Sequence, residues 1–409
     1  MNAKRARSVV VALTVLLPAV SLAGEAPCDL HKMSLEAVHN SALHGQVCAE
    51  LELGLAYAKG QGVPEDDKQA VAWWRKAAEQ GNAAAESALG RAYAKGQGVP
   101  QDYQQAIAWF RKAAEGGDSE AERSLGVCYE YGQGVPQDYK QAIEWLRKAV
   151  EGGNADAEEN LGVAYENGWA VQKDDQQAVA WFRKASARGS VAAEYNLGQE
   201  YEAGQGVPQD SKLAMTWWRK AADQGFAPAE LNLGTAYHNG LTGPQDEAQA
   251  VVWWRKAAEQ GVLQAQFYLG KAYYGGRGVP QDAGQGFAWW RKAAGKGSAD
   301  AEAGLGVAYE QGFGVTKNYE QATSWYRKAA EQGNAVAQTG LGIDYAMGRG
   351  VPQDYVLAYM LVDIAEAAGN PSAIKVAPML EGRMSPAQLS NAKALATAWK
   401  VGTPLPTTP

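Results

Sequence analysis

Leu-Gly recurs in this chain at residues 53, 89, 125, 161, 197, 233, 269, 305 and 341, always 36 apart. A fixed period of that length restricts the fold more than any single motif, because each unit must pack on a copy of itself. Other residues keep the same beat. A tyrosine follows the glycine by three residues in every copy, from Tyr57 to Tyr345, and Gly60 through Gly348 never fails. Tryptophan holds one slot in eight copies, from Trp73 to Trp325, and Arg-Lys follows two residues later, from Arg75-Lys76 to Arg327-Lys328. The register runs from 46 to 369 without an insertion.

Each unit parses as two helices. In residues 82–117, helix A is expected at 83–95 and helix B at 103–115. Asn82 and its equivalents Asp118, Asn154, Ser190, Ser298, Asn334 and Asn370 are good N-caps, with Phe226 and Val262 as exceptions. Gly96 ends helix A, Val99-Pro100 enforces an extended stretch, and Asp102 caps helix B. On helix B, Ala106, Trp109, Phe110 and Ala113 share one apolar face. On helix A the face is Ala85, Leu89, Ala92, Tyr93 and Gly96, small enough for close approach. Neither helix can bury its face alone, whereas stacked units can, which gives a superhelical α-solenoid. The tryptophans then belong to the core.

The pattern A-E-x-x-L-G-x-A-Y-x-x-G-x-G-V-P-x-D-x-x-x-A-x-x-W-x-R-K-A-A-E-x-G resembles Sel1-like repeats, relatives of tetratricopeptide repeats, over 46–369. The resemblance implies an all-α, right-handed α-solenoid of nine 36-residue helix-turn-helix repeats with terminal caps. It implies protein–protein interaction, as in bacterial scaffolds, regulators and host-contact factors, many of them exported. Residues 24–45 are expected as an N-terminal cap, 370–401 as C-terminal capping helices and 402–409 as a disordered tail. In the C-terminal part, Leu361 takes the tryptophan slot, and Ser385 with Gln388 starts the last helix. Gln172 and Thr316 replace the loop proline, leaving those loops less constrained.

Residues 1–23 read as a signal peptide: Lys4, Arg5 and Arg7, an apolar run from Val9 to Val20, then Ser21-Leu22-Ala23. The expected location is periplasmic or secreted, with no membrane span after removal of that segment and a monomer as the expected state. The formal net charge of −7 disfavours a nucleic-acid partner, which needs a clustered basic face. In an oxidising compartment Cys28 and Cys48 are the natural disulfide pair, while Cys128 sits in a slot filled by alanine in most sister repeats and reads as a small buried residue.

Catalytic features are few, and no catalytic, cofactor or metal residues are assigned. "GQGVP" lacks the Lys-Ser/Thr of a phosphate loop, and "AAGKGS" at 293–298 only imitates one. His31, His39 and His44 lie near Cys48 without the spacing of a known metal motif. Some cysteine-rich Sel1-like proteins are linked to penicillin binding and weak β-lactamase activity. Here S-x-x-K occurs as Ser372–Lys375 and Ser390–Lys393, but without the S-D-N and K-T-G elements or paired cysteines in each repeat. The repeated Arg-Lys is expected to form an internal ladder, the arginine pairing with Glu86, Glu122, Glu158, Glu194 and their equivalents on helix A.

Slots fixed in every copy build the stack, and slots that vary are free for function. On helix A the variable slots are those of Ala84, Ser87, Ala88, Arg91, Ala94 and Lys95, an arc opposite the Leu89/Tyr93 face. In tetratricopeptide-like stacks this arc lines the concave groove, and the resemblance carries that expectation here. The Ala88 slot becomes Asn160, Asn196 and Asn232, whose amides offer both donor and acceptor to an extended peptide. Tyr195, Gln199, Leu231, Thr235, Phe267, Tyr268 and Lys271 lie beside them, and Glu130, Glu166 and Glu202 make an acidic edge. Leu231 and Phe267 are expected to be exposed and to mark a partner site. The expected partner is a protein or peptide held in this groove. The alternatives are a host-contact or regulatory protein acting through the outer face of helix B, or a β-lactamase-like activity.

Overall fold

The computed structural model describes residues 34–406. Its described residues form 21 α-helices and no strand, in two compact units divided after Ser190. Unit 1 holds α1 (Leu35–Leu43), α2 (Val47–Lys59), α3 (Asp67–Glu79), α4 (Ala83–Lys95), α5 (Tyr103–Glu115), α6 (Ser119–Tyr131), α7 (Tyr139–Glu151), α8 (Ala155–Asn167) and α9 (Asp175–Ala187). Unit 2 holds α10 (Val191–Ala203), α11 (Ser211–Ala222), α12 (Ala227–Asn239), α13 (Glu247–Glu259), α14 (Leu263–Gly275), α15 (Ala283–Ala294), α16 (Ala299–Gln311), α17 (Tyr319–Glu331), α18 (Ala335–Met347), α19 (Tyr355–Ala367), α20 (Pro371–Glu381) and α21 (Pro386–Ala398). From α2 to α19 the even helices are helix A and the odd ones helix B, an α-solenoid of helix pairs.

Local chemistry sets these boundaries. The Asp102 carboxylate accepts from the N–H groups of Gln104 and Gln105, and Asp138 and Asp174 repeat the cap on α7 and α9. Asn82 accepts from Ala85 N–H to start α4, whereas Phe226 and Val262 begin α12 and α14 without a side-chain cap. One non-glycine residue among those described has positive φ, Ala170 at 52°, where sister copies have glycines such as Gly98 and Gly134. An alanine held there is strained. Ala170→Gly is expected to stabilise unit 1 by about 0.5–1 kcal/mol, read as a rise in the denaturation midpoint.

Within each unit, core formation joins a helix B to the next helix A. Ala106, Ile107, Phe110 and Ala113 of α5 cluster with Ala121, Leu125 and Cys128 of α6. The glycine of each Leu-Gly pair faces helix B of its own repeat at very short range. A Cβ added at Gly90 would lie 2.6 Å from the Phe110 ring, and one at Gly234 would lie 2.4 Å from Trp254 Cδ1. Burial of the fixed tryptophan differs between copies, from the buried Trp73 and Trp253, 7% and 3% exposed, to half-buried Trp109. Trp109 is half-buried while Phe110, in the slot that varies among Trp, Phe, Leu, Tyr and Val, is 2% exposed.

The fixed tryptophan has a second task besides packing. In all eight copies the lysine three residues on lies over its ring, from Lys76 on Trp73 at 3.8 Å to Lys328 on Trp325 at 4.2 Å. The same lysine meets the buried helix-A glutamate of its repeat, Lys184 on Glu158 at 2.9 Å and Lys220 on Glu194 at 2.8 Å. The expected arginine–glutamate ladder is corrected by this geometry, since in these repeats lysine reaches the carboxylate. Arginine points to the next repeat and donates to its tyrosine hydroxyl: Arg75 to Tyr93 at 2.8 Å, Arg111 to Tyr129 at 3.0 Å and Arg255 to Tyr273 at 3.1 Å. The planar guanidinium fork spans the joint, and the longer reach leaves the ammonium for the nearer partner.

At the C-terminal end Leu361 is buried among Tyr359, Met360 and Val362. Helix α21 starts with a complete capping box between Ser385 and Gln388. The expectation of a disordered tail fails for residues 402–406. Gly402 N–H donates to the Glu331 carbonyl at 2.7 Å, Leu405 N–H to Glu331 Oε1 at 3.0 Å, and Leu405 is 6% exposed. One apolar side chain and two backbone donors are thus satisfied on α17. Residues 407–409, the signal segment 1–23 and Cys28 of the expected bridge lie outside the described residues.

Candidate functional site

Helix A presents the variable arc in both units, but less openly than the period suggests. In unit 1, Ser87 and Ala88 are buried. On the same face Arg123 forks onto Glu120 through two bonds, Nε at 3.1 Å and Nη2 at 2.5 Å, with Arg91 close behind. Burial pushes the Glu120 carboxyl up, but Arg123 and then Arg91 outweigh it and the net shift is downward. Burial depresses Arg123, and Glu120 reverses that. Asn160 donates to Glu159 Oε2 at 3.3 Å, and its Oδ1 has no partner. Glu130 is 5% exposed and burial pushes it up to about 7. Glu166 is half-buried.

In unit 2 the same slots bring Tyr195, Asn196 and Gln199 of α10, Leu231, Asn232 and Thr235 of α12, and Phe267, Tyr268 and Lys271 of α14 onto helix-A positions. All are half-buried except the exposed Lys271, and Glu202 is half-buried too. Leu231 and Phe267 depart from the expected exposure. Leu231 packs on the cluster around Trp254, and Phe267 on the cluster around Trp290. Tyr268 also leans on Trp254, ring to ring at 5.0 Å, and accepts a bond from Gln264 at 2.7 Å. Tyr195 packs on Phe226 at 5.3 Å, and Thr235 returns its hydroxyl to the Leu231 carbonyl at 2.9 Å. These residues thus share their area between the core and the face.

A second polar cluster has no counterpart among the sequence expectations. Asp344 is fully buried in the helix-A slot that is alanine or cysteine in most copies. Arg349 bridges it at 3.0 Å to Glu310 at 3.2 Å, and the Tyr326 hydroxyl donates to Glu310 at 2.8 Å. Burial pushes Asp344 up to about 7, with Arg349 opposing. The available signal was coincidence: Asp344, Arg349 and the tyrosine at 326 all depart from their usual slots within two repeats.

Other candidates are accounted for by local structure. His44 Nδ1 bonds the Asn40 carbonyl at 2.7 Å, and His39 stands edge-on to Trp73. Among the described residues no three His, Cys, Asp or Glu side chains are grouped as metal ligands. Cys128 is buried and its thiol is pushed up to about 11, which removes it from thiolate chemistry near neutral pH. Ser372 lies in the first turn of α20 with its N–H on Asn370, and Lys393 of α21 faces Glu381 at 3.6 Å.

The Sel1 repeat family matches nine consecutive segments, from 49–82 through 335–370. A solved Sel1 repeat protein from Oxalobacter formigenes is 33% identical, over 74% of this chain and 88% of its own, with a TM-score of 0.51. The c5321 protective antigen present in uropathogenic Escherichia coli strains, described as displaying an SLR fold, is 35% identical over 88% of this chain and 85% of its own, with a TM-score of 0.45. No curated protein sequence matches. Nine unbroken repeats, whose fixed residues each have a packing or bonding role, show that the chain belongs to the Sel1 repeat family.

Proposed function

We propose that this protein is a non-enzymatic interaction scaffold of the bacterial cell envelope that binds a peptide or protein segment along the helix-A face. The observation that carries this reading is the division of labour within the repeat. Fixed residues are consumed by the core and the joints, while the half-exposed positions on helix A change from copy to copy, from Arg91 and Arg123 in unit 1 to Asn232, Phe267 and Tyr268 in unit 2. Partly buried tyrosine and asparagine suit recognition, the ring giving area at low entropy cost and the amide offering donor and acceptor. No helix among the described residues is long and apolar enough to cross a membrane, and the signal-like segment 1–23 supports export.

Mutating Asn160, Asn196 and Asn232 together to alanine is expected to weaken partner capture from envelope extracts at least tenfold. The thermal midpoint should change by no more than a few degrees. Capture at parental level by the folded triple variant removes these residues from the site. A second reading, binding through the outer face of helix B, is favoured by an open hollow beside Met215, Thr216 and Arg219 of α11, bounded by Tyr237 of α12. Leu213, 41% exposed, lies on the same helix α11. A crosslinking map that places partners on α11 selects this second reading.

A further inference from the structure

The helix-A face turns apolar at the end of unit 2. On α18, Val336 and Met347 are 54% and 63% exposed, with half-buried Ile343 between them. On α20, which touches α18, Met379 is 67% exposed beside half-buried Val376. All five fall in variable slots of the repeat. Met347 stands where earlier copies have Lys95, Asn167 and Asn239, and Met379 where they have Arg91 and Lys271. Val336, Ile343 and Met347 lie at i, i+7 and i+11, one stripe about 16 Å long.

An occupant of this stripe must bring its own backbone hydrogen bonds. Between Val336 and Ile343 the face holds Thr339 and Gly340, and the buried Thr339 hydroxyl is returned to the Ala335 carbonyl at 2.8 Å. An extended segment here would exchange water for methyl and thioether groups at its N–H and C=O, whereas a helix satisfies its own. The border of the stripe is basic. Exposed Lys375 and Arg383 have no carboxylate partner among the described residues, and Arg383 bonds the Tyr355 hydroxyl at 3.4 Å. Nearby carboxylates are taken: Glu381 by the Tyr359 hydroxyl at 2.6 Å and Lys393 at 3.6 Å, Asp344 and Glu310 by Arg349, and Asp300 by Asn334. A second copy docked about a two-fold axis would set these cations against cations. An acidic border on a different chain would neutralise them.

We propose that the helix-A face of α18 and α20 seats an amphipathic helix of a partner protein, apolar where it meets Met347 and Met379 and acidic along the border that meets Lys375 and Arg383. The inference rests on the reading that the helix-A face binds a segment, and assigns a helical occupant to the C-terminal end of that face. The stripe on α18 matches about three turns of such a helix. Its apolar anchors recur at i, i+4 and i+7, and the exposed methionines adapt to their shapes.

The test is selection of a phage-displayed random 16-residue peptide library on the full chain, with counter-selection on a Met347→Glu, Met379→Glu double variant. Both substitutions fall at exposed positions, so the variant keeps its fold. Peptides that the variant fails to bind are made as labelled synthetic peptides for anisotropy titration. They are expected to carry apolar residues at helical spacing with Asp or Glu along one border. Their affinity should fall about tenfold or more when a central polar residue becomes proline, and by a similar factor on Lys375→Glu, Arg383→Glu. Peptides that tolerate both changes overturn the acidic helix and leave the face reading standing. Winners that the methionine variant still binds overturn the site, and the face reading stands if the Asn160, Asn196 and Asn232 triple variant loses them. Winners that crosslink to helix B, or a library that yields no binder, overturn both. A chain that sediments alone as a dimer, and as a monomer after Met379→Glu, overturns the proposal in favour of a second copy.

Discussion

Gly234→Ala is expected to destabilise unit 2 by about 3 kcal/mol, at the upper end of what overpacking costs in a tight core. The added methyl would lie 2.4 Å from Trp254 Cδ1 and 2.6 Å from its Nε1, and Trp254 is itself 4% exposed. The ring has no free space to turn into, so α12 and α13 must separate. The measurement that localises the effect is hydrogen exchange resolved by helix. Protection should fall first in α12 and α13. The contrast is Gly284→Ala in α15, where the nearest atom to the new methyl is Asp282 Oδ1 at 3.4 Å. There helix propensity alone acts, and stability should rise by about 0.5–1 kcal/mol. Equal effects at the two glycines would contradict the close-approach account.

The second large effect is an inverted response to acid. Glu130 and Asp344 are both pushed up to about 7 by burial, from ordinary values of 4.5 and 3.8. The folded state thus holds these protons more tightly than the unfolded chain. Stability from these two sites is highest below about pH 4 and is lost as pH rises towards 7. A tenfold gain in proton affinity corresponds to about 1.4 kcal/mol, so each site costs on the order of 3 kcal/mol at pH 8. The thermal midpoint should therefore rise on going from pH 8 to pH 5.5. Glu130→Ala and Asp344→Ala, which place the alanine that sister copies carry in these slots, should raise the midpoint at pH 8 and flatten the pH profile. Glu120 works in the opposite sense, since its carboxyl is held low and its contribution is lost only in stronger acid. A midpoint that falls steadily from pH 8 to 5.5 would refute the assignment.

The period, the helix limits and the caps were legible in the sequence, because each depends on residues within one unit. Asp102 caps α5 whatever lies beyond it. What each fixed residue does was less legible. Invariance marked Trp109 and the pair Arg111-Lys112 alike, yet it could not separate a cation–π contact from a core position, nor choose which cation reaches the carboxylate. Those choices depend on side-chain reach between helices. For the same reason Leu231 and Phe267, placed on an outward arc by helical geometry, turn out to lean on neighbouring clusters. The Asp344–Arg349–Glu310 bridge joins α16, α18 and the loop after α18, so no single-unit pattern could announce it. The order of residues 402–406 depends on a carbonyl and a carboxylate of Glu331 far back in the chain, which no local pattern could announce.

The arginine–tyrosine joint makes the number of repeats an adjustable quantity. Arg219 reaches Tyr237, and Arg255 reaches Tyr273, across the same sequence separation. Excising residues 227–262 would bring Tyr273 to the distance along the chain at which Arg219 already finds its partner. A cut of one whole period there therefore leaves a joint of the original chemistry behind it. Gene duplication or unequal crossing-over can lengthen or shorten such a protein in single steps without inventing a contact. The side chains on helix A are then the only part of an inserted copy that selection has to rewrite.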